Sequence, residues 1–292
     1  MFEGHPDSPQ RLTAIEDRLQ AAGLMDLLNY FDAPLATRTQ LERVHSAAHI
    51  DDLAERAPDE GLVRIDPDTA MGPHTLEAAW RSAGATALAV DLVMSQRVSS
   101  AFCAVRPAGH HAERNRAMGF CFFCNAAVAA AHALDGHGLE RVAVLDFDVH
   151  HGNGTEDIFS FDPRVLVCSI YQHPLYPYRG APTIPGSMVN VPVPAGTDGR
   201  AWREAIIRHW FPAIEDFKPQ FIIISAGFDG HAADPMAELL LTEADYAWLT
   251  QEIVATADRH AQGRVVSCLE GGYDLAALGR CVAVHIRCLA GW

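Results

Sequence analysis

Two carboxylates and two imidazoles fall within six residues at Asp146-Phe147-Asp148-Val149-His150-His151, with Gly152-Asn153-Gly154 directly behind them. Successive side chains of an extended chain point to opposite faces, so Asp146, Asp148 and His150 are expected to share one. Oxygen, oxygen and nitrogen donors at that spacing make a metal-ligand group. The glycines let the backbone turn sharply and approach closely. A strand end capped by an acidic turn would account for one aspartate, but not for the whole run.

The apolar stretch Val142–Leu145 leads into this run and reads as a strand. Three other strand-like stretches also end in polar groups beside glycines. Ala101–Val105 runs into Arg106-Pro107-Ala108-Gly109-His110-His111. Phe221–Ser225, apolar on both faces and therefore buried on both, runs into Ala226-Gly227-Phe228-Asp229-Gly230-His231. Arg264–Leu269 runs into Glu270-Gly271-Gly272-Tyr273-Asp274. Singly, each has a plain alternative: a surface histidine pair, a helix cap at Asp229, a packed Tyr273, a bare glycine turn. In open α/β sheets the carboxyl ends of the strands carry the site, so the four loops are expected to converge.

Helical stretches separate these strands. Ser8 and Pro9 can start a helix that runs to about Ala22. Residues 49–50 suggest a short helix. His74–Gln96 carries Leu76, Ala79, Trp80, Ala83, Ala87 and Val90 on one stripe. Asn125–Leu134, Arg200–Phe217, Glu243–Ala261 and Leu275–Leu289 read as further helices, and Val165–Ile170 as a strand. Ala57–Pro73 reads as a polar loop, and so does Tyr171–Gly196, which holds six prolines. The alternation predicts an α/β fold, a mostly parallel sheet with helices on both faces. Without repeat, linker or low-complexity tract, the 292 residues read as one domain.

Hydrophobic residues make up 49% and charged residues 20%, which is enough apolar material for a large core. The formal net charge of −15 argues against direct nucleic-acid binding and favours cationic substrates by long-range steering. No apolar run is long enough for a membrane span. The start, Met1-Phe2-Glu3-Gly4-His5, lacks the basic and apolar regions of a signal peptide, so the cytoplasm is the expected compartment. Seven cysteines, mostly within apolar stretches, read as reduced packing residues, including the formal CxxC at Cys121 and Cys124.

RPAGHHA at 106–112, GFCFFCN at 119–125, DFDVHHGNGT at 146–155, SAGFDGHAADP at 225–235 and LEGGYD at 269–274 resemble the histone deacetylase and acetylpolyamine amidohydrolase superfamily. They most resemble its class II-like bacterial branch. HPDSPQR at 5–11 matches an early loop of that family, and the motifs occur in family order along nearly the whole chain.

The resemblance implies the arginase/deacetylase-like fold and a zinc ion, or iron in its place, on Asp148, His150 and Asp229. It implies His110 and His111 as general base and acid, oriented by Asp146 and Asn153, and Tyr273 as donor to the oxyanion. It also implies a potassium ion at Asp146, Ser169 and the carbonyls of Asp148, His150 and Ile170. A second potassium would sit at Phe159, Asp162 and Val165. Phe120 and Tyr176 would wall an acyl-lysine tunnel, with Gly109 and Gly271 giving it room. The implied activity is removal of acetyl or other short acyl groups from lysine side chains in proteins or peptides. Acetylpolyamines are the alternative substrate, and an inactive acyl-lysine-binding module is the alternative outside catalysis.

The chain departs from the family pattern in three places. It starts at the HPDSP loop, where relatives usually have a preceding strand. Ala108 and Cys124 stand where Pro and Asn are usual. Tyr178-Arg179-Gly180 stands where a Pro-Gly-Thr-Gly turn is common, which changes the rim. The arginase-type ureohydrolases share the fold but need extra carboxylates for a second metal. Gly152 and His231 occupy those positions here, so one metal is expected. Nothing in the sequence sets oligomeric state, acyl length or physiological substrate.

Overall fold

A computed structural model describes residues 4–180 and 183–292. The signal-peptide reading rests partly on residues 1–3, and the proline-rich loop includes 181–182; these lie outside the described residues. The structure is a single α/β domain. Its helices are α1 (Gln10–Ala21), α2 (Arg38–Glu42), α3 (Ala47–Arg56), α4 (Thr75–Met94), α5 (Asn125–Ala131), α6 (Asn153–Phe159), α7 (Gly199–Phe217), α8 (Glu243–His260) and α9 (Leu275–Leu289). A short hairpin, β1 (Val63–Arg64) with β2 (Ala70–Met71), lies apart from the main sheet.

The main sheet holds β3 (Ser100–Cys103), β4 (Val142–Asp146), β5 (Val165–Gln172), β6 (Met188–Val193), β7 (Phe221–Ala226) and β8 (Val265–Leu269) in the order β3-β8-β7-β4-β5-β6. Every pairing in it is parallel. Side-chain alternation splits β4 between two cores: Val142 and Val144 enter one, Ala143 and Leu145 the other. Both faces are therefore dry, which explains why β4 and β7 carry no polar side.

The chain moves outward from β4 to β5 and β6, then returns to place β7 on the other flank of β4. The crevice between β4 and β7 is thus the point where strand order reverses, the usual ligand position in such sheets. β3, β8, β7 and β4 are four consecutive neighbours. The four glycine-bearing loops expected to converge are the loops that follow them.

Four expectations need correction. Ala57–Pro73 is not all loop, since β1 and β2 pair within it. Tyr171–Gly196 contains β6, disguised by Pro192; β6 is an edge strand, where a residue without an N–H is tolerated. The helix expected over Asn125–Leu134 is α-helical only to Ala131 and passes into a π-turn at His132–Gly136. β4 ends at Asp146, so Asp148 and His150 project from the bend after it and not from the strand. Their common direction survives because Phe147 and Val149, on either side of Asp148, are anchored in the core.

Candidate active site and metal centre

Asp148, His150 and Asp229 come together across the β4/β7 crevice. His150 Nδ1 lies 3.0 Å from Asp148 Oδ1 and 3.1 Å from Asp229 Oδ2. The carboxylates are fixed by backbone donors. Val149 donates its N–H to Asp229 Oδ1 at 2.9 Å, and Gly271 donates to Asp148 Oδ2 at 2.8 Å. Asp229 Oδ2 is left buried with no hydrogen-bond partner. A buried carboxylate oxygen without a donor is costly unless a cation faces it.

Two other clusters of possible metal ligands occur among the described residues, Asp91 with His132 and His137, and His231 with Glu243 and Cys281. Their hydrogen bonds argue against ligation. Arg43 Nη1 donates to His132 Nδ1 at 2.8 Å, so the proton of a neutral His132 sits on Nε2, which faces Asp91. Ala233 donates its N–H to His231 Nδ1, so Nε2 carries the proton there too. In both, the nitrogen that would bind metal is already protonated. His150 Nδ1 also faces carboxylate oxygens, but among the described residues no N–H donor holds its Nε2, so the ring proton can sit there and leave Nδ1 to a metal; the donor set suits zinc or iron(II).

The paired imidazoles sit beside this group. Their ring centroids are 4.0 Å apart. His110 Nδ1 lies 3.0 Å from Asp146 Oδ2, and His110 Nε2 lies 3.6 Å from Asp148 Oδ1. Burial alone would depress the pKa of His110, but the carboxylates of Asp148 and Asp146 outweigh it and hold His110 well above the ordinary value. His111 is pushed well below the ordinary value by burial and by the positive charges of His110 and His150. Two adjacent histidines thereby favour opposite protonation states.

Asn153 fixes the tautomer of His111. Its Nδ2 donates to Glu113 Oε1 at 2.8 Å, and a carboxylate can only accept. Asn153 Oδ1 must therefore face His111 Nδ1, 2.7 Å away. That puts the His111 proton on Nδ1 and leaves Nε2 with its lone pair. Glu113 is itself ion-paired to Arg179 of the altered rim.

A cavity of about 120 Å³ opens onto these groups. Phe120 and Tyr176 line it together with Gly271 and Tyr273. Tyr176 stands edge-on to His111 at 5.0 Å, and Phe120 edge-on to Tyr273 at 6.2 Å. Phe120 has φ +68°, a strained value for a side chain of its size, and its amide is held by Thr69 Oγ1. Gly271 is needed where it stands. A Cβ there would lie 2.0 Å from Asp229 Oδ2. Gly109 is placed differently from expectation: it is not on the cavity wall, and a Cβ would lie 2.4 Å from the Asn125 amide nitrogen. Its smallness serves packing of the histidine loop, while Ala108 and Gly119 reach the cavity.

Behind Tyr273, the fully buried Arg11 donates Nε to Gly272 O at 2.7 Å and stacks over the tyrosine ring at 4.9 Å. Asp7 neutralises it and is also held by Arg106. Burial pushes the Tyr273 hydroxyl pKa up, against the opposing charge of Arg11, so the hydroxyl remains a donor at neutral pH.

The expected potassium positions are mixed. Ser169 is the register partner of Asp146, and its Oγ is buried without a hydrogen bond. Ile170 follows it in β5. At the second position, the Asp162 carboxylate is taken by Arg164, the Asp162 carbonyl accepts from the amide of Val165, and the Phe159 carbonyl accepts from the amide of Asp162.

Several residues here escaped sequence reasoning. Glu113 and Arg11 act through contacts that only the fold creates. Asp68 and Met236 reach the cavity from a hairpin and a loop whose course the sequence did not reveal. Glu270 left a signal, a carboxylate directly after the apolar run Val265–Leu269.

All seven cysteines are buried and unpaired. Among the described residues, no helix is long and apolar enough to cross a membrane.

Comparison with known proteins agrees with this geometry. The histone deacetylase domain family matches residues 5–289. A histone deacetylase-like amidohydrolase of Pseudomonas aeruginosa is 39% identical over 99% of this chain and 77% of its own length. The human polyamine deacetylase HDAC10 is 34% identical over 98% of this chain and 44% of its own. The crystal structure of the HDA15 HD domain superposes with a TM-score of 0.92 at 34% identity, covering 98% of this chain and 82% of that one. With a family match from the first loop to the last helix and a shared fold, the chain belongs to the histone deacetylase family of hydrolytic amidohydrolases.

Proposed function

We propose that the chain is a zinc-dependent lysine deacylase, acting on acetyl or other short acyl groups carried by lysine side chains of peptides or proteins. The observation that carries this is the meeting of an unpartnered Asp229 Oδ2, the oppositely biased His110 and His111, and the Tyr273 hydroxyl around one narrow cavity.

A divalent zinc ion, with iron(II) as substitute, would be held by Asp148, His150 and Asp229 and would supply carbonyl polarisation and acidification of water. The protein's own residues do the rest. His111 Nε2, the free base, takes a proton from the attacking water as its oxygen bonds to the acyl carbon. Asn153 keeps His111 in the required tautomer. His110, held cationic by Asp146 and Asp148, stabilises the negative charge that develops. Tyr273 donates its hydroxyl to the acyl oxygen. His111 returns its proton to the nitrogen as the C–N bond breaks, giving a carboxylic acid and a free amine.

Phe120 and Tyr176 suit an extended methylene stem. A potassium ion at Asp146, Ser169 and Ile170 fits the unpartnered Ser169 Oγ and would stiffen the ligand loop; we assign the second potassium to Phe159, Asp162 and Val165 on resemblance alone. The reduced thiols suit a reducing compartment such as the cytoplasm.

Asp68 lines the cavity beside Asp66, and the pair holds the Asp68 pKa up, to about 6, by burial and mutual repulsion. An acidic mouth suits the cationic backbone of a basic peptide. It also suits the distal ammonium of an acetylpolyamine, which is the second reading.

Acetate release from an acetyl-lysine peptide and from N-acetylputrescine, by zinc-loaded protein, decides between them. The expected result is peptide turnover, reduced about 10²-fold or more in Tyr273→Phe. Preference for acetylputrescine would select the second reading. No turnover of either with metal bound would overturn both.

A further inference from the structure

Glu270 is fully buried at the end of β8, three residues before Tyr273, and the mechanism above gives it no part. Its Oε2 accepts the N–H of Gly109 at 2.7 Å and the N–H of His110 at 3.1 Å. Two consecutive amides aimed at one carboxylate oxygen form a small anion-binding concavity. Those amides are buried, so without Glu270 they have no acceptor in its place.

The backbone of Glu270 is fixed as firmly as its side chain. Its N–H donates to Ala226 O at 2.9 Å, at the end of β7, and its carbonyl accepts from Arg11 Nη2. The next residue, Gly271, donates to Asp148. One residue therefore touches the histidine loop through its carboxylate, the end of β7 through its amide, and Arg11 behind the tyrosine through its carbonyl. Among the described residues, the other carboxylate oxygen meets Cys268 Sγ at 3.7 Å and no further hydrogen-bond partner.

We infer that Glu270 is a positioning residue that sets the register of His110 and His111 against Tyr273, by pinning the backbone of the histidine loop to the loop that carries the tyrosine. The inference rests on the deacylase reading above. The base and the oxyanion donor come from strands β3 and β8, and between their loops Glu270 supplies two direct hydrogen bonds. A burial-raised carboxyl, up to about 7, is the cost of placing it there. What the site needs from it is an acceptor oxygen at one position.

The test uses zinc-loaded protein and three variants, with kcat, KM, zinc content and thermal midpoint measured for each. Glu270→Gln keeps an acceptor oxygen for both amides and is expected to hold kcat within about threefold, whereas Glu270→Ala is expected to lose about 10²-fold in kcat with KM within about threefold, because small misplacement of reacting groups costs that much. Zinc content stays at the wild-type level in both. Wild-type kcat in Glu270→Ala overturns the inference, and so does a loss that only tracks missing zinc. Gln as impaired as Ala also overturns it, since charge and not the acceptor would then matter. Should Glu270→Ala not fold, Glu270→Asp decides by the same criterion, its carboxylate being one methylene short of the amides. A wild-type protein that binds zinc but turns over no acylated amine would sink the deacylase reading itself, a different result from a wild type that works and a Glu270→Ala that works equally well.

Discussion

Asn153 Oδ1 lies 2.7 Å from His111 Nδ1, and this contact decides which nitrogen of His111 can act as a base. An amide can present either end to an imidazole. Here Glu113 and, more weakly, the His111 carbonyl both accept from Asn153 Nδ2 and remove the choice. The carboxylate thus controls the tautomer of a residue it does not touch.

Glu113→Ala should leave the Asn153 amide held only by the longer 3.3 Å bond to the His111 carbonyl, let it turn in part of the population so that the His111 proton moves to Nε2 there, and lower kcat about tenfold, a typical share of a general-base contribution. KM should hardly move. Adding Asn153→Asp to that variant should recover most of the loss, because a carboxylate can only accept from Nδ1. Asn153→Asp alone should not help, since it sets two carboxylates against each other. Steady-state kinetics on the four proteins checks this. A double variant no better than Glu113→Ala would refute the tautomer argument.

The metal group makes a second prediction through Gly271. A Cβ at this position would lie 2.0 Å from Asp229 Oδ2 and 2.6 Å from Asp148 Oδ2. Gly271→Ala should therefore bind zinc weakly and lose the rise in thermal midpoint that ligand binding gives a folded state, while its far-ultraviolet circular dichroism stays that of the wild type. His132→Ala should leave zinc stoichiometry unchanged, because Arg43 already holds His132 in the non-ligating tautomer. Full zinc content in Gly271→Ala, or loss of zinc from His132→Ala, would place the metal elsewhere.

What the sequence made legible follows the strength of local signals. β4 and β7 are apolar runs, one leading into Asp146-Phe147-Asp148 and the other into Gly227-Phe228-Asp229, so both the strands and the position of the site could be read. β6 could not, because Pro192 and a proline-rich approach imitate a loop, and only its place at the sheet edge makes the residue tolerable. The spacing of Asp148 and His150 marks them as candidate ligands, but their shared direction comes from Phe147 and Val149 locking a bend and not from strand alternation. The resemblance gives Gly109 as room for the tunnel, yet a Cβ there would meet Asn125. The parts played by Glu113, Asp68 and Arg11 were invisible for another reason, even though Arg11 closes the early HPDSPQR motif. Each acts on a residue dozens to hundreds of positions away, and no local pattern encodes such a contact.

His285 is buried and has no role at the site. Thr250 Oγ1 gives its proton to Tyr246 O, so it accepts from His285 Nδ1 at 2.7 Å, and Ser267 Oγ donates to Nε2 at 2.9 Å. The neutral ring is fully satisfied, and burial pushes its pKa down to about 3. The unfolded chain binds a proton at this residue below about pH 6.5 while the folded chain does not, so its stabilising contribution is complete above that pH and is lost as pH falls toward about 3. His285→Gln keeps hydrogen bonds to Thr250 and Ser267 but cannot titrate. At pH 7 the wild type should be the more stable. Between about pH 6 and pH 4 the difference between the two proteins should shrink by roughly 1.4 kcal/mol per pH unit, as one differentially bound proton requires. Using the difference cancels the other buried carboxyls and imidazoles, which titrate in both proteins. Urea unfolding of the pair at pH 7, 6, 5 and 4 measures it, and a difference independent of pH would show that His285 is not held neutral in the fold.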